Sequence, residues 1–277
     1  MTMRYDEVGY WSEIKLDIVR KYAGAYSRIL AAQRNPTLHH AYIDAFAGPG
    51  VHVSRHSGDF ILGSPLNALQ VEPPFKEFHF IDIEGSRIDS LKSLIGTRAD
   101  VHLYTGDANA VLLDDVLPRA RFEDFRRALC LLDPYGLHLN WEVLQTAGGM
   151  RSVEVFINFP TMDMNRNVLW RNPERVPDEQ VARMTAFWGN ESWREAAYST
   201  RNLFSMEMKA GDSNEAVVNA FRERLRRDAG FNYVPEALPM RNSLGFVVYY
   251  LVFASPNATG EHIVKDIFDK YGGRDGR

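Results

Sequence analysis

Residues 42–50, Tyr42-Ile43-Asp44-Ala45-Phe46-Ala47-Gly48-Pro49-Gly50, read as an apolar strand that ends on an acid and runs into a glycine loop. Glycine carries no Cβ, so the backbone of such a loop approaches a ligand closely and turns its amides outward. Three motifs downstream share this design. Phe80-Ile81-Asp82-Ile83-Glu84 is an acidic strand end, Thr105-Gly106-Asp107-Ala108-Asn109 follows the next apolar run, and Leu131-Leu132-Asp133-Pro134-Tyr135-Gly136 closes another.

Around these motifs, apolar runs at 41–45, 77–83, 100–104, 128–133 and 153–159 alternate with helical patterns at 65–71, 86–95, 108–120 and 141–147. Near-continuous apolar strands imply burial on both faces of a parallel sheet. Right-handed crossovers then bring every strand end to one edge, where open α/β sheets bind ligands. The expected fold class is α/β, a doubly wound Rossmann-like sheet. Ahead of it, residues 11–31 repeat apolar side chains at helical spacing, with Ser12 as a cap. Behind the fifth strand, 160–211 reads as a helical insertion with helices at 177–188 and 192–199. A helix at 213–228 opens on Ser213-Asn214-Glu215. A strand at 246–254 follows, with 231–234 and the stretch to 240 as its shorter partner, then a helix at 261–270. The reading is a single domain over 1–277, with 1–36 as a helical cover.

Composition excludes several classes. One cysteine, Cys130, allows neither an internal disulfide nor a multi-cysteine zinc or iron–sulfur site, and its apolar neighbours imply a buried thiol. A formal net charge of −4 gives no overall pull toward nucleic acid, so a nucleic-acid substrate would need a local basic patch. The start of the chain lacks an apolar signal core and no apolar run reaches membrane length, so no membrane association and a cytoplasmic location are expected.

The glycine loop does not lead straight into a helix. Residues 51–62 intervene before Gly63-Ser64-Pro65 supplies a cap and a first-turn proline. That spacing argues against a pyrophosphate resting on the helix terminus, and so against a nicotinamide dinucleotide. The intervening loop, with His52, Arg55 and His56, is either a lid or a solvated surface loop. Asp82 is placed to accept ribose hydroxyls, with Glu84 as a competitor and a helix N-terminal charge as the plainer reading. Asp107 is either a helix cap or the acceptor for an adenine amine, with the Ala108 or Asn109 amide reading the ring edge.

Asp133, Pro134 and Tyr135 form the catalytic candidate, although the same hexapeptide also suits an ordinary strand-to-turn exit. An exocyclic amine is a poor nucleophile because its lone pair is delocalised. The Asp133 carboxylate and the Pro134 carbonyl can accept its two hydrogens and turn the lone pair toward an electrophilic methyl. Tyr135 can stack on the ring and hold the line of attack. Asn158, at the fifth strand end, lies on the same edge. Arg222, Arg224, Arg226 and Arg227 read as a solvated helix face rather than a phosphate stripe, and adjacent His39 and His40 point to opposite faces of a strand.

The order of these motifs resembles the class I S-adenosylmethionine-dependent methyltransferases over about residues 40–160, and 231–254 is similar to that class's closing antiparallel hairpin. More narrowly, Trp11-Ser12-Glu13-Ile14-Lys15, residues 42–50, Gly63-Ser64-Pro65, Asp133-Pro134-Tyr135-Gly136 and the strand at 249–255 resemble the three-Cys-motif partner (TcmP) proteins. The resemblance implies S-adenosyl-L-methionine as cofactor. Asp44, Gly48 and Gly50 would flank its methionine part, with Phe46 in the same loop, Asp82 the ribose, and Asp107 with Ala108 the adenine. It also implies a three-cysteine partner protein. With the reading of Asp133, Pro134 and Tyr135, the expected activity is methylation of an amine, a nucleobase in DNA or RNA; the alternatives are a cofactor-binding partner module without turnover and methylation of a protein amide. Amino-methylating members usually carry two prolines after the acid; the single-proline Asp133-Pro134-Tyr135-Gly136 resembles the version in some transfer-RNA guanine-amino methyltransferases.

Overall fold

The computed structural model of the chain describes residues 6–34, 36–203, 210–242 and 244–272. A short strand β1 (Asp6–Val8) precedes the long helix α1 (Tyr10–Ala31), and β2 (His39–Asp44) follows. The next elements are β3 (Val51–Ser54), β4 (Phe60–Leu62), α2 (Ser64–Leu69), β5 (Glu77–Asp82), α3 (Gly85–Ile95), β6 (Val101–Thr105) and α4 (Ala108–Val111). Then come β7 (Arg126–Leu132), α5 (Trp141–Met150), β8 (Val153–Phe159), α6 (Thr161–Asn167), α7 (Asp178–Trp188), α8 (Trp193–Leu203) and α9 (Ala210–Arg227). The strands β9 (Leu238–Arg241) and β10 (Val247–Ala254) and the helix α10 (Ala258–Gly272) close the chain.

Seven strands form one sheet in the order β6-β5-β2-β7-β8-β10-β9. The pairs β5–β6, β2–β5, β2–β7 and β7–β8 are parallel, and β10 runs antiparallel to both β8 and β9. Side chains alternate across a strand, and here both faces are apolar. Tyr42, Phe78, Phe80, Phe156 and Phe253 meet α1, α2, α3 and α10, while Ile43, Ile81, Cys130, Val155 and Ile157 meet α5 and the 161–227 helices. Phe156 is fully buried, its ring 5.2 Å from that of Tyr22 and 4.9 Å from that of Phe253. Truncating such a ring to alanine costs about 3–5 kcal/mol. Glu154, at the start of β8, accepts from the Tyr22 hydroxyl and from Ser255 at 2.9 Å, which ties α1 and the end of β10 to the sheet edge opposite the ligand edge.

Several expectations need correction. Gly9, not Ser12, caps α1, and its carbonyl accepts the Ser12 amide at 2.9 Å. Gly63 of the Gly63-Ser64-Pro65 turn caps α2, and α9 begins at Ala210, a turn before its expected cap. The stretch 108–120 is one turn of α-helix followed by a π turn (Leu112–Val116) and a 3₁₀ turn (Leu117–Arg119), because Pro118 has no amide with which to continue the ladder. Residues 51–62 are neither free loop nor bare lid: β3 and β4 pair antiparallel, and β1 adds in parallel to β3 as a small second sheet. The Ser54 hydroxyl donates to Glu13 at 2.7 Å, fastening this sheet to α1. In the closing hairpin, β9 spans Leu238–Arg241, and the expected 231–234 segment contributes only the Tyr233–Ser255 bridge.

Of the four arginines of α9, Arg227 is exposed as expected, but the other three are held against the fold. Arg222 donates to the Pro235 carbonyl at 2.7 Å, Arg226 bonds Glu223 and the Val234 carbonyl, and Arg224 lies 4.7 Å over the Trp141 ring.

Candidate functional site

The parallel strands deliver their ends to one rim. From β6 across to β8 the rim reads Asp107, Asp82, Asp44, Asp133 and Asn158. Asp44 ends the central strand and is fully buried. Its Oδ1 accepts the Phe46 amide at 3.4 Å, while Oδ2 has no hydrogen-bond partner among the described residues. Burial pushes its carboxyl up to about 7, and the charge of Asp133 adds to the rise against Ser64, the Phe46 amide and Lys15.

Asp82 clamps the glycine loop to the neighbouring strand. Its Oδ2 accepts the Gly48 amide at 2.9 Å, its Oδ1 accepts the Glu84 amide at 2.9 Å, and Arg87 stands 3.8 Å from Oδ2. Gly48 reaches it with φ +65°, a left-handed conformation that glycine adopts freely. Each carboxylate oxygen keeps a second lone pair, so ribose hydroxyls can still dock on Asp82. Beside it Ile83 is 71% exposed, an apolar side chain left uncovered at the rim. Glu84 turns away from the strand end to pair with Arg87 at 3.3 Å.

Asp107 caps α4. Its Oδ1 accepts both the amide and the side-chain nitrogen of Asn109, at 2.7 and 3.0 Å. The Asn109 amide, one of the two expected to read a ring edge, is therefore occupied by Asp107. Asn109 also bridges to the exit of β7, donating to the His138 carbonyl at 3.0 Å and accepting the Asn140 amide at 2.7 Å.

Asp133 is held from two sides. Lys15 of α1 donates to Oδ2, and Asn158 of β8 donates to Oδ1 at 2.8 Å. Lys15 is buried with its ammonium 5.4 Å from the Tyr249 ring centroid. Burial opposes its charge, and Asp133, Tyr249 and Asp44 more than offset that, so its pKa is raised. Tyr249 is pushed up to about 12, chiefly by burial, and its hydroxyl donates to the Trp11 carbonyl at 3.2 Å. Pro134 is buried, whereas Tyr135 is 94% exposed. Gly136 follows with φ +73°, where a Cβ would stand 2.9 Å from Asp163 of α6.

Two residues escaped sequence reasoning in these roles. Lys15 lies four residues after Trp11 and four before Val19, inside the buried stripe of α1, and a lysine in an apolar stripe implies an anionic partner. Asn158 was placed on the ligand edge, but its bond to Asp133 depends on the register of β7 against β8. A groove of about 820 Å³ opens elsewhere, between α5 and α7, lined by Trp141, Gln145, Asp178 and Thr185 among others and by none of the rim carboxylates. Among the described residues no cluster of histidine, cysteine and carboxylate side chains is arranged to hold a metal ion, and no helix is long and apolar enough to cross a membrane.

No family model matches the chain, and no curated protein does. Solved structures do. A Legionella pneumophila protein of the DUF519 family model superposes with a TM-score of 0.52 at 11% identity, covering 92% of this chain and 91% of the other. Weaker likenesses include the methyltransferase domain of a bacterial Hen1 (TM-score 0.39, 12% identity, 86% and 99% covered). A Thermobifida fusca protein described as a putative methyltransferase gives a TM-score of 0.40 at 16% identity, with 87% and 81% covered. At these identities the likeness is one of fold: a mostly parallel, Rossmann-like seven-stranded α/β sheet with a closing antiparallel hairpin.

Proposed function

We propose that this chain is an S-adenosylmethionine-dependent methyltransferase whose acceptor is an amine, the exocyclic amino group of a nucleobase in DNA or RNA. The carrying observation is Asp44: a fully buried carboxylate at the end of the central strand, with one oxygen unpartnered beside a glycine loop. A buried carboxylate with one oxygen left unpaired is costly, and the α-ammonium of the cofactor's methionine part is the cation that would satisfy it. The Gly48–Gly50 loop with Phe46 would cradle that part. Asp82 would take the ribose hydroxyls and exposed Ile83 would cover the adenine, whose edge falls to Asp107 and Ala108.

When bound, the cofactor supplies a sulfonium methyl, whose bond to sulfur breaks with its electron pair staying on sulfur. The residues do the rest. Asp133 and the Pro134 carbonyl accept the two amine hydrogens, which directs the nitrogen lone pair at the methyl carbon. Tyr135, standing in solvent, stacks on the acceptor ring and fixes its plane. After the N–C bond forms, the surplus amine proton passes to the Asp133 carboxylate or to water.

One observation favours a second reading, a cofactor-binding module that works as the partner of a three-cysteine-motif protein without turnover. Both Asp133 oxygens already hold a bond, to Lys15 and to Asn158. The two readings separate in one experiment. Calorimetry with S-adenosylmethionine and S-adenosylhomocysteine tests the cofactor site, and transfer of labelled methyl to mixed RNA, DNA and protein tests turnover. Binding with label in nucleic acid supports the first reading, binding without transfer supports the second, and absence of binding refutes both.

A further inference from the structure

The rim acids lie at or just past the ends of the sheet strands, yet the group that grips Asp133 comes from outside the sheet. Lys15 belongs to α1, at a position where packing alone asks for a leucine: its neighbours in the buried stripe are Trp11, Ile14, Ile18 and Val19. A buried ammonium is expensive, and a hydrophobic residue of similar volume is often the more stable choice even when the ammonium is paired. Its placement is also well fixed. The Trp11 carbonyl accepts from Tyr249, the Glu13 carboxylate accepts from Ser54, and Tyr22 reaches Glu154, so α1 is tied at three levels. The ammonium therefore stands at a set point on the rim, bonded to Asp133 Oδ2 while Asn158 holds Oδ1.

We propose that Lys15 is a positioning residue for methyl transfer: it orients the Asp133 carboxylate and cancels its charge at the place where the sulfonium methyl is presented. This rests on the cofactor reading above. A bare carboxylate facing a sulfonium would hold that cation as an ion pair in the ground state, where binding gains nothing in rate. With Lys15 present, Asp133 offers its remaining lone pairs to an uncharged amine without adding a net negative charge.

The pair of ligands S-adenosylmethionine and S-adenosylhomocysteine reads this charge directly, because they differ by the methyl and the sulfonium charge. Their affinities are measured by calorimetry on the full chain with Lys15→Met, Asp133→Asn, the double variant and Lys15→Arg. The preference for the sulfonium over the thioether rises roughly tenfold in Lys15→Met, which leaves the carboxylate unpaired, and falls roughly tenfold in Asp133→Asn, which leaves the ammonium. In the double variant, with neither charge, and in Lys15→Arg, it returns to within about threefold of the wild type. A purely structural lysine would change both affinities together and leave their ratio alone, so an unmoved ratio, or one moving the same way in both single variants, overturns the proposal. So does a folded Lys15→Met protein that binds neither compound. Should Lys15→Met fail to fold, Asp133→Asn and the double variant carry the same comparison. A wild type that binds neither compound removes the cofactor reading itself, an outcome distinct from any failure confined to the variants.

Discussion

Asp44→Asn is expected to stabilise the free protein while removing its affinity for the cofactor. Burial raises the Asp44 carboxyl from an ordinary aspartate value of 3.8 to about 7. Between those values the folded state holds a proton that the unfolded state has released, so unfolding becomes easier as pH rises, by about 1.4 kcal/mol per pH unit. The penalty develops above pH 3.8, grows to pH 7 and is constant beyond. Over the whole span of roughly three units the ceiling is about 4 kcal/mol. Asparagine fills the same space without a charge and escapes this loss.

The assay is a comparison of denaturant or thermal unfolding of the two proteins at pH 5 and pH 7. Groups common to both cancel, including Glu154, which burial also raises to about 7. The advantage of Asp44→Asn should grow by about 2–3 kcal/mol over those two pH units, or about 5 °C in Tm for a chain of this size. Binding runs the other way: wild-type affinity for S-adenosylmethionine should rise with pH up to about 7, as Asp44 ionises to meet the ammonium, and Asp44→Asn should lose both the affinity and its pH dependence. A stability gap that stays the same from pH 5 to pH 7 would refute the claim that Asp44 is a charge held against its own desolvation.

The remaining expectations are simpler. Asp133→Ala should abolish methyl transfer while calorimetry still detects S-adenosylhomocysteine; loss of that binding would move Asp133 into the cofactor site. Tyr135→Ala should leave unfolding within about 0.5 kcal/mol of the wild type, since the ring is 94% exposed, yet reduce transfer at least tenfold, measured by incorporated label. Asp82→Ala should weaken cofactor binding by about 1.5–3 kcal/mol, the range for a hydrogen bond to a charged group, and an unchanged Kd would exclude a role at the ribose. His40 is fully buried against Ser27 at 2.8 Å, and burial, with Lys76 adding to it, lowers its pKa from 6.5 to about 4. Below pH 6.5 the unfolded state binds that proton first, so stability should fall by about 3 kcal/mol as pH drops toward 4, and His40→Gln should show less of this acid loss in unfolding curves.

The sheet was legible in the sequence because its strands are apolar on both faces. Ala128-Leu129-Cys130-Leu131-Leu132 and Val153-Glu154-Val155-Phe156-Ile157 leave little else for a short run bounded by turns. The rim acids were legible for a related reason: an acid directly after such a run must lie at a strand end. The second small sheet was not. Its three strands are three or four residues long, and β1 and β3 meet across more than forty residues of sequence, so no local pattern announces the pairing. The start of α1 was misplaced because Gly9 caps it without a side chain, and the serine nearby gives the stronger written signal.

Lys15 marks where sequence patterning stops and the chemistry begins. Patterning sorts residues into buried and exposed, and a lysine on the buried stripe of α1 breaks the sort without naming its partner, 118 residues away. Three acids on the rim, Asp44, Asp82 and Asp133, were candidates for that partner by position. Backbone amides from Gly48 and Glu84 already hold Asp82, and the open oxygen of Asp44 has no partner among the described residues. The ammonium goes to Asp133. That choice leaves Asp44 as the carboxylate with room for an external cation, and the proposed placing of the cofactor's ammonium on Asp44 and of the acceptor amine on Asp133 rests on where one helix puts one charge.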